Sequence, residues 1–149
     1  MKVERTLDTG YCYEVLTNKH IFDCITEDGA TVESFNVDVI KDYWLEITDE
    51  GVDIGVFQMK QMLAKCYEAH IHILPEYRKD YADGAGELIL KWIKDNIKEC
   101  LIVTRVPSLF PNVKGFLLRH GFEQTGILPN AHCKNGKQHD MWILTRGVK

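Results

Sequence analysis

The chain has 149 residues, 45% of them hydrophobic and 27% charged, with a formal net charge of −4. That is the length and balance of one globular domain spanning 1–149, and it argues against both a disordered chain and a general nucleic-acid binder, which carries a basic face. No apolar run reaches the length of a membrane span, and the five cysteines form no C-x-x-C pair, so a cytoplasmic protein with reduced thiols is expected.

Met1 to Arg5 alternates Val3 with charged neighbours and reads as a short first strand. Asp8 or Thr9 can cap a helix through Tyr11–Leu16, and a second short helix or turn is expected over His20–Ile25. Glu27-Asp28-Gly29 reads as a turn whose acids are solvated. From Ala30 to Lys41 the pattern is weak, with Val37, Val39 and Ile40 suggesting extended chain. Tyr43–Ile47 and Val52–Met59 flank Thr48-Asp49-Glu50-Gly51 and predict a hairpin.

The most informative stretch follows. Cys66 to Leu74 alternates polar Glu68, His70 and His72 with Ala69, Ile71 and Ile73, the period-2 mark of a half-buried strand, and Pro75 ends it. Lys79–Gly86 reads as a basic, Gly-containing loop, and Ala85, Leu88, Ile89, Trp92, Ile93 and Ile97 recur at helical spacing. A strand, such a loop and a helix N-terminus together predict an anion site, where unpaired N–H groups and the helix dipole converge.

Leu101–Val106 is an apolar run expected to be a strand parallel to the previous one, because a helix crosses between them. Pro111–His120 predicts a short helix stopped by Gly121. Phe122–Leu128 and Asp140–Leu144 predict the last two strands, joined across Asn130–Gln138, where Asn135-Gly136 signals a turn.

This order resembles the GCN5-related N-acetyltransferase (GNAT) superfamily over nearly the whole chain. Ile71-His72-Ile73-Leu74-Pro75-Glu76-Tyr77-Arg78 is similar to the family's strand ending in V-x-P-E-Y-R. Gly84-Ala85-Gly86-Glu87-Leu88-Ile89-Leu90 resembles its pyrophosphate loop and following helix, and Gly121-Phe122-Glu123-Gln124-Thr125-Gly126 its G-F-x-x-x-G. The ending Asn135–Met141 resembles the D-G-x-x-x-D hairpin of many members, and the variant is similar to compact bacterial and phage members.

The resemblance implies an α/β domain with a mixed, mostly antiparallel sheet, one splayed parallel strand pair and flanking helices. It implies transfer of acetyl from acetyl-coenzyme A to an amine on a small molecule or protein, by a monomer or homodimer. The cofactor-binding residues it implies are Ile73, Leu74, Arg78, Lys79, Tyr81, Ala82, Gly84, Ala85, Gly86 and Asn112. Asn112 has a second reading as a helix N-cap. Two departures stand out. Arg78 and Gly84 are six positions apart where the family has three, and the usual general-acid tyrosine is replaced by Leu117. These leave an alternative, a GNAT-fold binding protein without transfer activity that serves as an inhibitor or assembly partner.

Acetyl transfer needs a deprotonated amine and a route out for the thiolate. Glu68, His70 and His72 share one face of the strand by its period of two, and any of them can act as the base, or can be an ordinary polar position on that face. A metal is not expected. His70, His72, His132, Cys133, His139 and Asp140 lack the close ligand pairs that zinc sites show.

Overall fold

The computed structural model describes residues 1–149. Strand β1 (Lys2–Arg5) is followed by helices α1 (Thr9–Thr17) and α2 (Lys19–Ile25), then by strands β2 (Tyr43–Asp49), β3 (Val52–Leu63) and β4 (Cys66–Ile73). Helix α3 (Arg78–Asn96), strand β5 (Cys100–Pro107), helix α4 (Pro111–Arg119) and the hairpin β6 (Glu123–Lys134) and β7 (Lys137–Val148) complete it. The strands form one sheet in the order β1-β2-β3-β4-β5-β7-β6. Every pairing is antiparallel except β4–β5, which is parallel as expected.

Local chemistry accounts for the elements. Asp8 caps α1 by accepting from the Tyr11 backbone N–H at 2.9 Å, which satisfies one of the unpaired donors of the first turn. In α3, Ala85, Ile89 and Ile93 are buried at a spacing of four, so one stripe seats the helix on the sheet. At the end of β6, Asn135 and Gly136 have φ of 52° and 71°, the two left-handed positions of a type I′ turn. That two-residue turn lets β6 and β7 run on as strands across the segment 130–138, which the sequence reads as a connection.

The sheet has two cores. One face carries Leu45, Ile47, Phe57, Met59, Tyr67, Ala69, Ile73 and Ile102 against α3 and α4. The other carries Trp44 and Val56 against Cys12, Val15, Leu16 and Ile21 of α1 and α2, with Val39. The segment 30–41 forms no strand. It makes a 3-10 turn at Val32–Ser34, and Asp38 Oδ1 accepts from the N–H groups of Ile40 and Lys41. Val39 is apolar because it plugs the smaller core, not because it belongs to a sheet.

The largest correction concerns 79–86. It is no loop: a 3-10 turn at Pro75–Tyr77 passes directly into α3 at Arg78. Its glycines serve packing instead of turning. A Cβ on Gly86 meets the His120 ring at 2.6 Å, and one on Gly84 meets the Met1 methyl at 2.8 Å.

Candidate active site

Strands β4 and β5 pair over only three residues, Cys66 with Leu101, Tyr67 with Ile102 and Glu68 with Val103. Beyond Glu68 they diverge, and β4 continues to Ile73 with only β3 beside it. Which backbone groups face the gap follows from two hydrogen bonds. Leu101 N–H donates to Lys65 O across to β5, and Leu74 N–H donates to Ile54 O on the β3 side. Successive residues of a strand point opposite ways, so the backbones of Ala69, Ile71 and Ile73 face the gap. The Ile73 carbonyl there is already taken: Arg78 Nε donates to it at 3.0 Å.

A cleft of about 1220 Å³ runs through this gap. On the helix side its walls are Ile71, Ile73, Ile89, Ile93, Phe116 and Leu117, and on the opposite face Glu68, His70, His72 and Arg105. It continues under α1 and α2 past Trp44 and Gln58.

Glu68, His70 and His72 do share a face, and the structure separates their roles. His70 Nε2 donates to Glu68 Oε1 at 2.9 Å, and Arg105 donates to the same oxygen from Nε at 3.0 Å and Nη2 at 2.6 Å. The His70 hydrogen bond and the Arg105 guanidinium hold the Glu68 carboxyl at a pKa of about 2, so it is a poor proton acceptor. It works instead as an anchor. With Nε2–H committed to Glu68, the neutral His70 ring carries its lone pair on Nδ1.

His72 stacks beside His70, ring centroids 6.3 Å apart at 18°. Burial, then the neighbouring His70 and Arg78 charges, push its pKa well down, to about 3. The unfolded chain takes up this proton near pH ~6.5. Between those two values the unfolded state binds more protons, so stability falls as the pH falls, by at most about 1.4 kcal/mol per pH unit from this group. His72→Gln is therefore expected to lose less stability than wild type between pH 7 and pH 5, as read by urea denaturation. Equal losses in the two proteins count against a half-buried His72 that stays neutral.

The expected cofactor residues divide. Ile73, Arg78, Ala82, Gly86 and Asn112 line the cleft. Leu74, Lys79, Tyr81, Gly84 and Ala85 do not. Leu74 packs on the α1–α2 core, Ala85 is fully buried on the inner face of α3, the Asp49 carboxylate raises the Tyr81 pKa, and Gly84 faces Met1. Gly84, Ala85 and Gly86 lie inside α3, where backbone N–H groups belong to the helical ladder and cannot cradle an anion. The helix start is at Arg78, where no side chain caps it. Asn112 is the second residue of α4 and Phe110 is the cap position, so the capping reading does not hold.

Two acids expected to be solvated hold the far wall together. Asp28 Oδ1 accepts from Asn135 N–H at 2.9 Å and Oδ2 from Gly136 N–H at 2.8 Å, while Glu27 Oε1 accepts from Cys133 N–H at 2.8 Å. The β6–β7 turn is thereby strapped to the end of α2 across the cleft. Those backbone N–H donors hold the Asp28 carboxyl below the usual range. No sequence pattern marks this contact, because its partners lie more than a hundred residues apart. Among His, Cys, Asp and Glu side chains, no group of three converges as metal ligands.

Solved structures match this fold. The spermidine N-acetyltransferase from Vibrio cholerae, in complex with CoA and spermine, matches with a TM-score of 0.82 at 16% identity, over 99% of this chain and 95% of that one. The yncA protein of Salmonella typhimurium, with its cofactor acetyl-CoA, matches at 0.75 and 14% identity, over 100% and 94%. The smu.2055 protein from Streptococcus mutans matches at 0.77 and 15%, over the full length of both chains. No curated protein matches by sequence. The fold is thus that of the GNAT acetyltransferases, with the splayed parallel pair in its expected place. The family described as a protein of unknown function, DUF2824, matches residues 2–146, and the chain belongs to that family.

Proposed function

We propose that the protein is an N-acetyltransferase that moves acetyl from acetyl-CoA to a primary amine, with His70 as the general base. The observation that carries this is the coincidence of an open strand gap with an anchored histidine on its acceptor side. In this reading the pantetheine arm adds to the free edge of β4 through Ile71 and the Ile73 N–H. The pyrophosphate lies at the uncapped start of α3, beside the Arg78 guanidinium.

The chemistry follows from the anchored ring. The amine lone pair attacks the thioester carbonyl carbon while His70 Nδ1 takes the amine proton. The C–S bond then breaks and the thiolate leaves, drawing its proton from solvent, since Leu117 offers none. Glu68 stabilises the imidazolium formed and fixes which nitrogen is free; it is a positioning residue.

Calorimetric titration with acetyl-CoA is expected to show micromolar binding. With an amine present, free thiol is expected above the hydrolysis rate. No heat at high micromolar ligand sinks the proposal, and binding without thiol release turns it into a binding protein of the same fold.

A further inference from the structure

His70 has one neighbour with no part in the transfer described above. Gln58 of β3 stands directly opposite it in the antiparallel β3–β4 pair, so the two side chains leave the sheet on one face, with Cβ atoms about 5 Å apart. Both residues line the cleft, and Gln58 is half-buried there. The Glu68 carboxylate, by contrast, sits against the Nε2 edge of the His70 ring, away from the nitrogen that works on the amine.

Asp42 decides how the Gln58 amide lies. Gln58 Nε2 donates to Asp42 Oδ2 at 3.3 Å, and Asp42 is 6% exposed, one residue ahead of β2. A carboxylate only accepts, so turning the amide over would set its oxygen against another oxygen. The NH2 end is thereby committed and Oε1 is left over. The buried side-chain nitrogen and oxygen atoms without a partner are Asp42 Oδ1, Trp44 Nε1 and His132 Nε2. Gln58 Oε1 accepts from no protein group and is not among them, so it is open, and the space beside this residue is the cleft.

We infer that Gln58 holds the acceptor amine, its Oε1 accepting one N–H while His70 Nδ1 receives the other. This rests on the transfer reading above. A neutral primary amine has two N–H groups and one lone pair, and two acceptors on one face of the sheet leave that lone pair for the thioester carbon. As the new C–N bond forms and the C–S bond breaks, His70 Nδ1 keeps one proton. The second N–H stays on nitrogen as the amide N–H of the product. Gln58 thereby selects primary amines, because a secondary amine puts a carbon where that N–H pointed.

The test measures thiol release with n-heptylamine, tyramine and triglycine amide, each beside its N-methyl counterpart. Wild type is expected to prefer the primary amine by about 10-fold or more in kcat/KM, one hydrogen bond together with the misplaced methyl. Gln58→Met keeps the length and bulk of the side chain and removes Oε1. It is expected to lower that preference by about 3- to 10-fold, the range of one neutral hydrogen bond. A preference that Gln58→Met leaves unchanged, or its absence in wild type, overturns the inference while the transfer reading stands. No release by wild type with any of these amines overturns both. Should Gln58→Met not fold or not turn over, the side-chain carbonyl ¹³C resonance of wild-type Gln58 decides. It is expected to shift when the preferred primary amine is added to the CoA-bound protein, and not with the trimethylammonium form, which has no N–H. Any other pattern overturns the inference.

Discussion

Replacing His70 with alanine is expected to lower kcat by about 10²- to 10⁴-fold, the usual contribution of a positioned general base. Acetyl-CoA affinity is expected to stay within about threefold of wild type. The reason is geometric. The backbone of residue 70 pairs with Gln58 on β3, and its side chain lies on the face opposite the α3–α4 core, so neither contributes to the open edge of β4. Stopped-flow thiol release and calorimetry on the same preparation separate the two quantities. A variant that keeps kcat within threefold removes His70 from the mechanism. Glu68→Gln is a milder perturbation because the amide can still accept from Nε2–H but no longer balances an imidazolium. Glu68 titrates at about 2, so that difference is expected throughout the neutral pH range instead of appearing on an acid limb.

Gly55→Ala is expected to cost at least about 2–3 kcal/mol, at the upper end of what overpacking a close-packed site costs. Gly55 sits on β3 opposite Ile73, where β4 leaves the sheet. A Cβ there lies 2.2 Å from the His72 carbonyl oxygen and 2.9 Å from Ile73 Cα, and both are backbone atoms that cannot rotate away. On the other side, Tyr11 Oη–H donates to the Gly55 carbonyl at 2.8 Å and ties α1 to the same point. Relief therefore has to come from moving the end of β4, which carries the open edge. The urea midpoint is expected to drop by about 1 M or more, and acetyl-CoA binding to weaken alongside it. A midpoint unchanged within about 0.3 M counts against the close approach. Binding that stays at wild-type strength in a destabilised variant detaches the edge of β4 from cofactor recognition.

Both outcomes concern a region where the chain alone carried much of the information. Period-2 alternation placed Glu68, His70 and His72 on one face of β4, and Ala85, Ile89 and Ile93 at helical spacing placed the apolar stripe of α3. Those patterns are local, and burial on one face writes them directly into the residue order. Asp8, Pro75 and Asn135-Gly136 marked their boundaries for the same reason, since caps and turns are set by a few neighbouring residues.

The glycines misled where their reason was distant. Gly84 and Gly86 read as a phosphate loop, but they lie in a helix that passes close to Met1 and His120, and nothing nearby in sequence records those neighbours. Glu27 and Asp28 are exposed, as expected, but that they also accept from the β6–β7 turn follows only from folding. The assignment of base and anchor also needed three dimensions. Glu68 and His70 are equivalent in pattern; the hydrogen bond between them, joined by Arg105 arriving from β5, lowers the Glu68 pKa, and the same hydrogen bond leaves His70 Nδ1 free. Sequence by itself determined the elements, their order and the face that carries the chemistry, because these depend on short-range pattern. Tertiary structure decided which side chain is the anchor and which backbone edge is open, because each depends on groups brought together from far along the chain.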